Sequence, residues 1–267
     1  MRDTGDGSPV PRGGDSLAPP PSVTGVAARM SIRLTKLAGE SHMSRPERID
    51  CVLFDCDGVL IDSEPIAARR NVVVFGRMGI PATFEDCLTM CGQDGKTTIP
   101  AIGAKYGIDV TAEQFFAAKR ECIDAGAIEA VSYRMPEADT LPGVHGVHGV
   151  LRRLRAAGVL TGLVSTTVSS HILVGLDRFE LAPMFDCIVT GDMVERHKPD
   201  PMPYQTAMDY LHVDPAHTVV VEDSPAGVRS GLAAGCYVLG FRGSATVRQD
   251  VSAANEVLDS YFDFDLV

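Results

Sequence analysis

The chain has 267 residues, 45% of them hydrophobic and 22% charged, enough to bury a sizeable core in one large or two modest domains. Its net charge of −11 argues against a general nucleic-acid surface, which needs clustered Lys and Arg. No apolar run approaches membrane-spanning length, so no membrane partner is expected.

Residues 1–47 are rich in Gly, Pro and Ser, with Gly13-Gly14 and Pro19-Pro20-Pro21, and read as a disordered N-terminal extension. Met30 and Met43 are both plausible starts. A transit peptide is a weaker reading, because Asp3, Asp6 and Asp15 accompany Arg29, Arg33 and Lys36.

Cys51-Val52-Leu53-Phe54 is a short unbroken apolar run that ends on Asp55, Asp57 and Gly58. Such a run fits a strand buried on both faces of a parallel sheet. Pro65 then fits the first turn of a helix over 66–78, stopping near Gly79. Helical stretches follow at 84–91, 97–106 and 112–127, with no strong strand pattern among them. Residues 65–142 therefore read as an inserted all-helical domain, closed by a hinge at Leu141-Pro142-Gly143.

From Val144 helices and strands alternate. The expected helices are 146–157, 168–178, Pro201–Leu211 and Pro225 to near Gly235. The expected strands are Val159–Val164, Cys187–Thr190, Thr218–Val221 and Tyr237–Leu239, with a last one around Val257-Leu258. This alternation means βαβ units: an α/β, Rossmann-like parallel sheet flanked by helices, built from residues 48–64 and 143–267.

Seven cysteines, an odd number without a CxxC pair, favour a reducing, cytoplasmic setting. Cys87 and Cys91 are four apart with no further zinc-site partner, and read as helix-packing residues.

Polar groups recur where the strands end: Asp55 and Asp57, then Ser165-Thr166-Thr167, then Glu222-Asp223-Ser224, with His197-Lys198-Pro199 in a loop. In a parallel sheet these ends share one edge, so the groups converge. Asp55, Asp57 and Asp223 can hold Mg²⁺, which prefers oxygen ligands and bridges to phosphate. Lys198 and the Ser165 hydroxyl suit phosphate oxygens, helped by backbone N–H groups at a helix start. An aspartate beside Mg²⁺ can act as nucleophile, and a second carboxylate can serve the leaving oxygen and then water.

These words, DCDGVLIDSE, the Ser165 strand end, HKPDPMPY and VEDSPAGVRSGLAAG, occur in the order of the four motifs of the haloacid dehalogenase superfamily. Residues 50–260 resemble its sugar-phosphate phosphatase and β-phosphoglucomutase-like branch. The resemblance implies Asp55 as nucleophile, Asp57 as general acid/base, and Ser165, Thr166 and Lys198 as phosphate-binding groups. It implies Mg²⁺ held by Asp55, Asp223 and the backbone carbonyl of Asp57, with Glu222 behind them. Glu64 and Lys96 are placed as substrate-facing or supporting residues. The implied activity is Mg²⁺-dependent hydrolysis of a small phosphorylated metabolite, a sugar phosphate, through an aspartyl-phosphate. The alternative is a phosphosugar mutase, whose pattern has a His where Ala67 stands and a cap Arg near Lys96. A halide-removing hydrolase has no use for Asp57.

Overall fold

In the computed structural model the described residues are 43–91, 93–130, 144–243 and 249–266. Six parallel strands form one sheet in the order β3-β2-β1-β4-β5-β6: β1 Cys51–Phe54, β2 Leu160–Val164, β3 Cys187–Val189, β4 Thr218–Glu222, β5 Tyr237–Phe241 and β6 Glu256–Leu258. The first strand lies centrally, pairing with β2 on one side and β4 on the other. The sheet grows outward in both directions from there, so the crevice between β1 and β4 is the point where open α/β sheets receive ligands.

Side-chain alternation explains why these strands are buried throughout. On β1, Val52 and Phe54 face one core with Val219, Val221, Leu239 and Phe241, packed under α5 (Val147–Ala156) and α6 (Ser169–Arg178). Cys51 and Leu53 face the opposite core with Val220 and Val238, under α7 (Met202–Leu211) and α8 (Pro225–Ala233). A strand covered on both faces has no polar side to show, which is why its sequence is continuously apolar.

Between β1 and α5 come four helices: α1 Glu64–Arg77, α2 Phe84–Leu88, α3 Gly95–Lys105 and α4 Ala112–Asp124. They enclose their own core, with Val74, Phe75, Ile99, Phe115 and Cys122 buried together and the Phe75 and Phe115 rings 4.7 Å apart. Cys87 and Cys91 are buried here, and all seven cysteines are free.

The expected elements are all present. α1 starts at Glu64, with Pro65 in its first turn. α3 begins at Gly95, two residues earlier than expected, and α2 and α4 end at Leu88 and Asp124, earlier than expected. Residues 43–47 carry no helix or strand. Residues 1–42 of the expected extension and the expected hinge at Leu141-Pro142-Gly143 lie outside the described residues. No described helix is long and apolar enough to cross a membrane.

Candidate active site

Asp55 follows the last residue of β1, and Glu222 and Asp223 end β4 beside it. The carboxylates of Asp55, Glu222 and Asp223 come within 4.8 Å of one another. Lys198 enters from the loop before α7 and its ammonium is almost wholly buried among them. Its Nζ donates to Asp55 Oδ1 at 2.5 Å, to Glu222 Oε1 at 2.6 Å and to the Val164 carbonyl at 2.8 Å. All three N–H groups of the ammonium are therefore used, and the ring of Tyr204 lies 4.9 Å away.

Three carboxylates against one ammonium leave the cluster short of positive charge. Burial pushes the Asp55 carboxyl up to about 7, with Lys198 opposing and Glu222 and Asp57 reinforcing. Burial pushes Asp223 up to about 9, reinforced by Asp55, Glu222 and Asp57. Burial would lower Lys198, but Asp55 and Glu222 outweigh it and hold the ammonium charged. A second, divalent cation among hard oxygen donors is what such a cluster fits.

Asp57 sits on the turn that leaves β1. Its Oδ1 accepts from the Ser63 hydroxyl at 2.5 Å and its Oδ2 from the Thr167 hydroxyl at 3.1 Å, so its orientation is fixed from two elements. Gly58, next in the chain, has φ +80°, and a Cβ there would lie 1.9 Å from Asp223 Oδ2. That position needs glycine for its backbone and for the carboxylate above it. The turn is closed by Gly58 N–H donating to the Ile61 carbonyl at 2.8 Å. Tyr261 supports it from beneath, its hydroxyl donating to the Val59 carbonyl at 3.1 Å.

Glu222 is fully buried and its oxygens are occupied. Oε1 accepts from Lys198 and from the Tyr204 hydroxyl at 2.9 Å, and Oε2 accepts from the Ser224 backbone at 3.2 Å and hydroxyl at 3.1 Å. It is close enough to share a cation with Asp55 and Asp223, but its lone pairs already serve to aim Lys198.

Ser165 is buried at the end of β2, and its Oγ accepts from Thr167 N at 3.0 Å. The loop is pinned from behind by Gly191 N donating to the Thr167 carbonyl at 3.0 Å. Asp55, Asp57, Glu64, Ser165, Thr166, Lys198 and Asp223 line one cavity, together with Ser224, Ala226 and Gln249. Of the residues singled out from sequence, Lys96 is not brought there: it is exposed in the first turn of α3, near Glu113. Ala67 carries no acid or base, so neither position marked for a mutase supports one.

Sequence reasoning gave no role to Ser63, Thr167 or Tyr204. Thr167 stood in the quoted strand end and Tyr204 in the quoted HKPDPMPY word, but nothing in their spacing says what their hydroxyls touch.

The family model for haloacid dehalogenase-like hydrolases matches residues 52–241. The chain belongs to that family. Hexitol phosphatase A of Escherichia coli (strain K12) is 32% identical to the hydrolase over 77% of this chain and 87% of its own length. Validoxylamine A 7'-phosphate phosphatase of Streptomyces hygroscopicus subsp. limoneus is 27% identical over 76% and 89%. Among solved structures, a haloacid dehalogenase family hydrolase of Deinococcus radiodurans R1 with bound phosphate and sodium superimposes with a TM-score of 0.65. It is 27% identical, over 80% of this chain and 93% of its own. CbbY of Rhodobacter sphaeroides in complex with phosphate does so with a TM-score of 0.58 at 25% identity, over 80% and 96%.

Proposed function

We propose that the hydrolase is a Mg²⁺-dependent phosphatase of a small phosphorylated carbohydrate, working through an aspartyl-phosphate on Asp55. The observation that carries this reading is the gathering of Asp55, Glu222, Asp223 and Lys198 at the crevice between β1 and β4. Relatives named as phosphatases of hexitol and validoxylamine phosphates support the carbohydrate class. Residues 48–64 and 143–267 form the catalytic core in this reading, and 65–142 the cap. The free cysteines suit a reducing, cytoplasmic setting.

Asp55, Asp223 and the Asp57 backbone carbonyl would hold Mg²⁺, which supplies charge neutralisation at the phosphoryl oxygens and at the crowded acids. An Asp55 carboxylate oxygen attacks phosphorus and the P–O bond to the sugar breaks. Asp57, held by Ser63 and Thr167, gives the leaving oxygen its proton and then takes one from the water that cleaves the acyl-phosphate. Lys198 already touches Asp55, so a phosphoryl group on that carboxylate meets the ammonium directly, while Glu222 and Val164 keep it aimed. The Ser165 and Thr166 end of β2 faces the same cavity and offers hydroxyl and backbone donors to the remaining oxygens.

The reading is tested by release of phosphate from p-nitrophenyl phosphate and from a panel of hexose and hexitol phosphates. Asp55→Asn is expected to reduce turnover by at least about a thousandfold, the scale seen when a covalent nucleophile is removed. Asp57→Asn is expected to retain formation of the acyl-phosphate better than its hydrolysis. Full turnover by Asp55→Asn rejects the assignment.

A further inference from the structure

A second group of charges lies away from the metal cluster, where helices of the insertion approach the core. Arg70 on α1 is buried, with only 5% of its surface exposed, and its Nη2 donates to the Glu129 carbonyl at 2.6 Å. Lys119 on α4 is half-buried beside Arg70, and its charge is opposed by that burial and then by the guanidinium. His171, in the first turns of α6, comes from the core side. Burial, Arg70 and Lys119 all disfavour its protonation, and Asp57 favours it. His171 thus stands between two cations of the insertion on one side and the Asp57 end of the catalytic cavity on the other. Asp57 already accepts from Ser63 and Thr167, and no carboxylate among the described residues pairs with Lys119.

Three groups able to carry positive charge, drawn from α1, α4 and α6, repel one another, and nothing in a purely structural role asks for that. A ligand anion placed among them removes the repulsion and gains charge-assisted hydrogen bonds. Resting on the phosphatase reading above, we propose that Arg70, Lys119 and His171 form a second anion subsite. It holds a carboxylate or second phosphate of the substrate, distal to the ester cleaved at Asp55. The preferred substrate class is then a doubly anionic carbohydrate: a sugar bisphosphate or a phosphorylated sugar acid. Arg70 supplies a planar, permanently charged partner, and Lys119 and His171 supply donors that reach the same anion from the two sides of the cleft.

The test compares kcat/KM of the wild-type enzyme for matched esters: a hexose 6-phosphate, the corresponding hexonate 6-phosphate and a hexose bisphosphate. At least one doubly anionic ester is expected to be preferred by about tenfold or more over the monophosphate, the scale of one or two charge-assisted hydrogen bonds. Lys119→Met and His171→Gln are each expected to lower that preference several-fold, through KM rather than kcat. Which ester is preferred distinguishes a carboxylate from a phosphate occupant. Removing Lys119's charge relieves repulsion, so the Tm of Lys119→Met should hold or rise, and a loss of substrate preference is then not a loss of fold. A wild type that cleaves both kinds of ester equally well overturns the subsite, as does an unchanged preference in both variants. A wild type that releases phosphate from none of them overturns the phosphatase reading instead.

Discussion

At residue scale the site is built by the places where side chains are missing. A Cβ on Gly227 would lie 1.7 Å from Glu222 Oε1, because α8 begins directly over that buried carboxylate. Gly227→Ala must displace Glu222, and with it one of the two carboxylates that aim Lys198. The variant is expected to lose about 2–4 kcal/mol of stability, as overpacked buried sites do, and most of its phosphatase activity. Thermal unfolding and turnover check both. Native stability in Gly227→Ala would mean that the helix start yields more easily than its contacts imply. The acidic residues, Ser165 and Lys198 were legible because each sits in a word at a strand end or before a helix. Gly227 stood in one of those words too, but its reason for being glycine lies in the depth of Glu222, which no spacing records. Arg70, Lys119 and His171 were illegible for the same reason. They come from three helices, and only the packing of α1 against α4 and the approach of α6 puts them together.

At the scale of elements, the insertion depends on its helix starts. Thr83 accepts from Asp86 N at 3.2 Å while Asp86 accepts from Thr83 N at 3.1 Å, a reciprocal cap that fixes the beginning of α2. Asp86 also accepts from Lys105 Nζ and the Tyr106 hydroxyl, both at 2.5 Å, tying α2 to the end of α3. Lys105 is more than half exposed, so its ion pair is screened and adds little. Asp86→Ala is therefore expected to cost about 1–2 kcal/mol, the value of the cap and one hydroxyl bond, seen as a lower Tm. Thr111 and Gln114 form the same box at α4. The expected starts at 84 and 112 coincide with these two boxes. Gly95 was read as part of a loop, yet Asp94 accepts from Lys96 N at 2.9 Å and starts α3 there. The helix ends were less legible, since the residues after Leu88 and Asp124 keep turn-like bonds that a periodicity argument extends.

At the scale of the molecule, crowding of acids links stability to pH and to cations. Asp55 and Asp223 have folded values raised to about 7 and about 9, above the roughly 4 of an unfolded aspartate. The folded protein therefore binds more protons than the unfolded chain between these limits. Stability from these groups is fully present below about pH 4 and is lost as pH rises through the folded values. EDTA-treated protein is expected to show a Tm contribution that declines across this window, and Asp223→Asn is expected to flatten it. Mg²⁺ should raise the Tm more at pH 8 than at pH 5, because it binds the ionised acids of the folded state. A shift of equal size at both pH values would mean that the cation binds elsewhere.

All of this rests on Asp55 becoming covalently phosphorylated. The direct measurement is acid quenching during turnover of a good phosphate ester, followed by peptide mapping by mass spectrometry. A phosphoryl adduct on the peptide containing Asp55 is the predicted result. It should be absent in Asp55→Asn and more abundant in Asp57→Asn, where its hydrolysis is slowed. Rapid turnover with no adduct on Asp55 in either the wild type or Asp57→Asn would contradict the account.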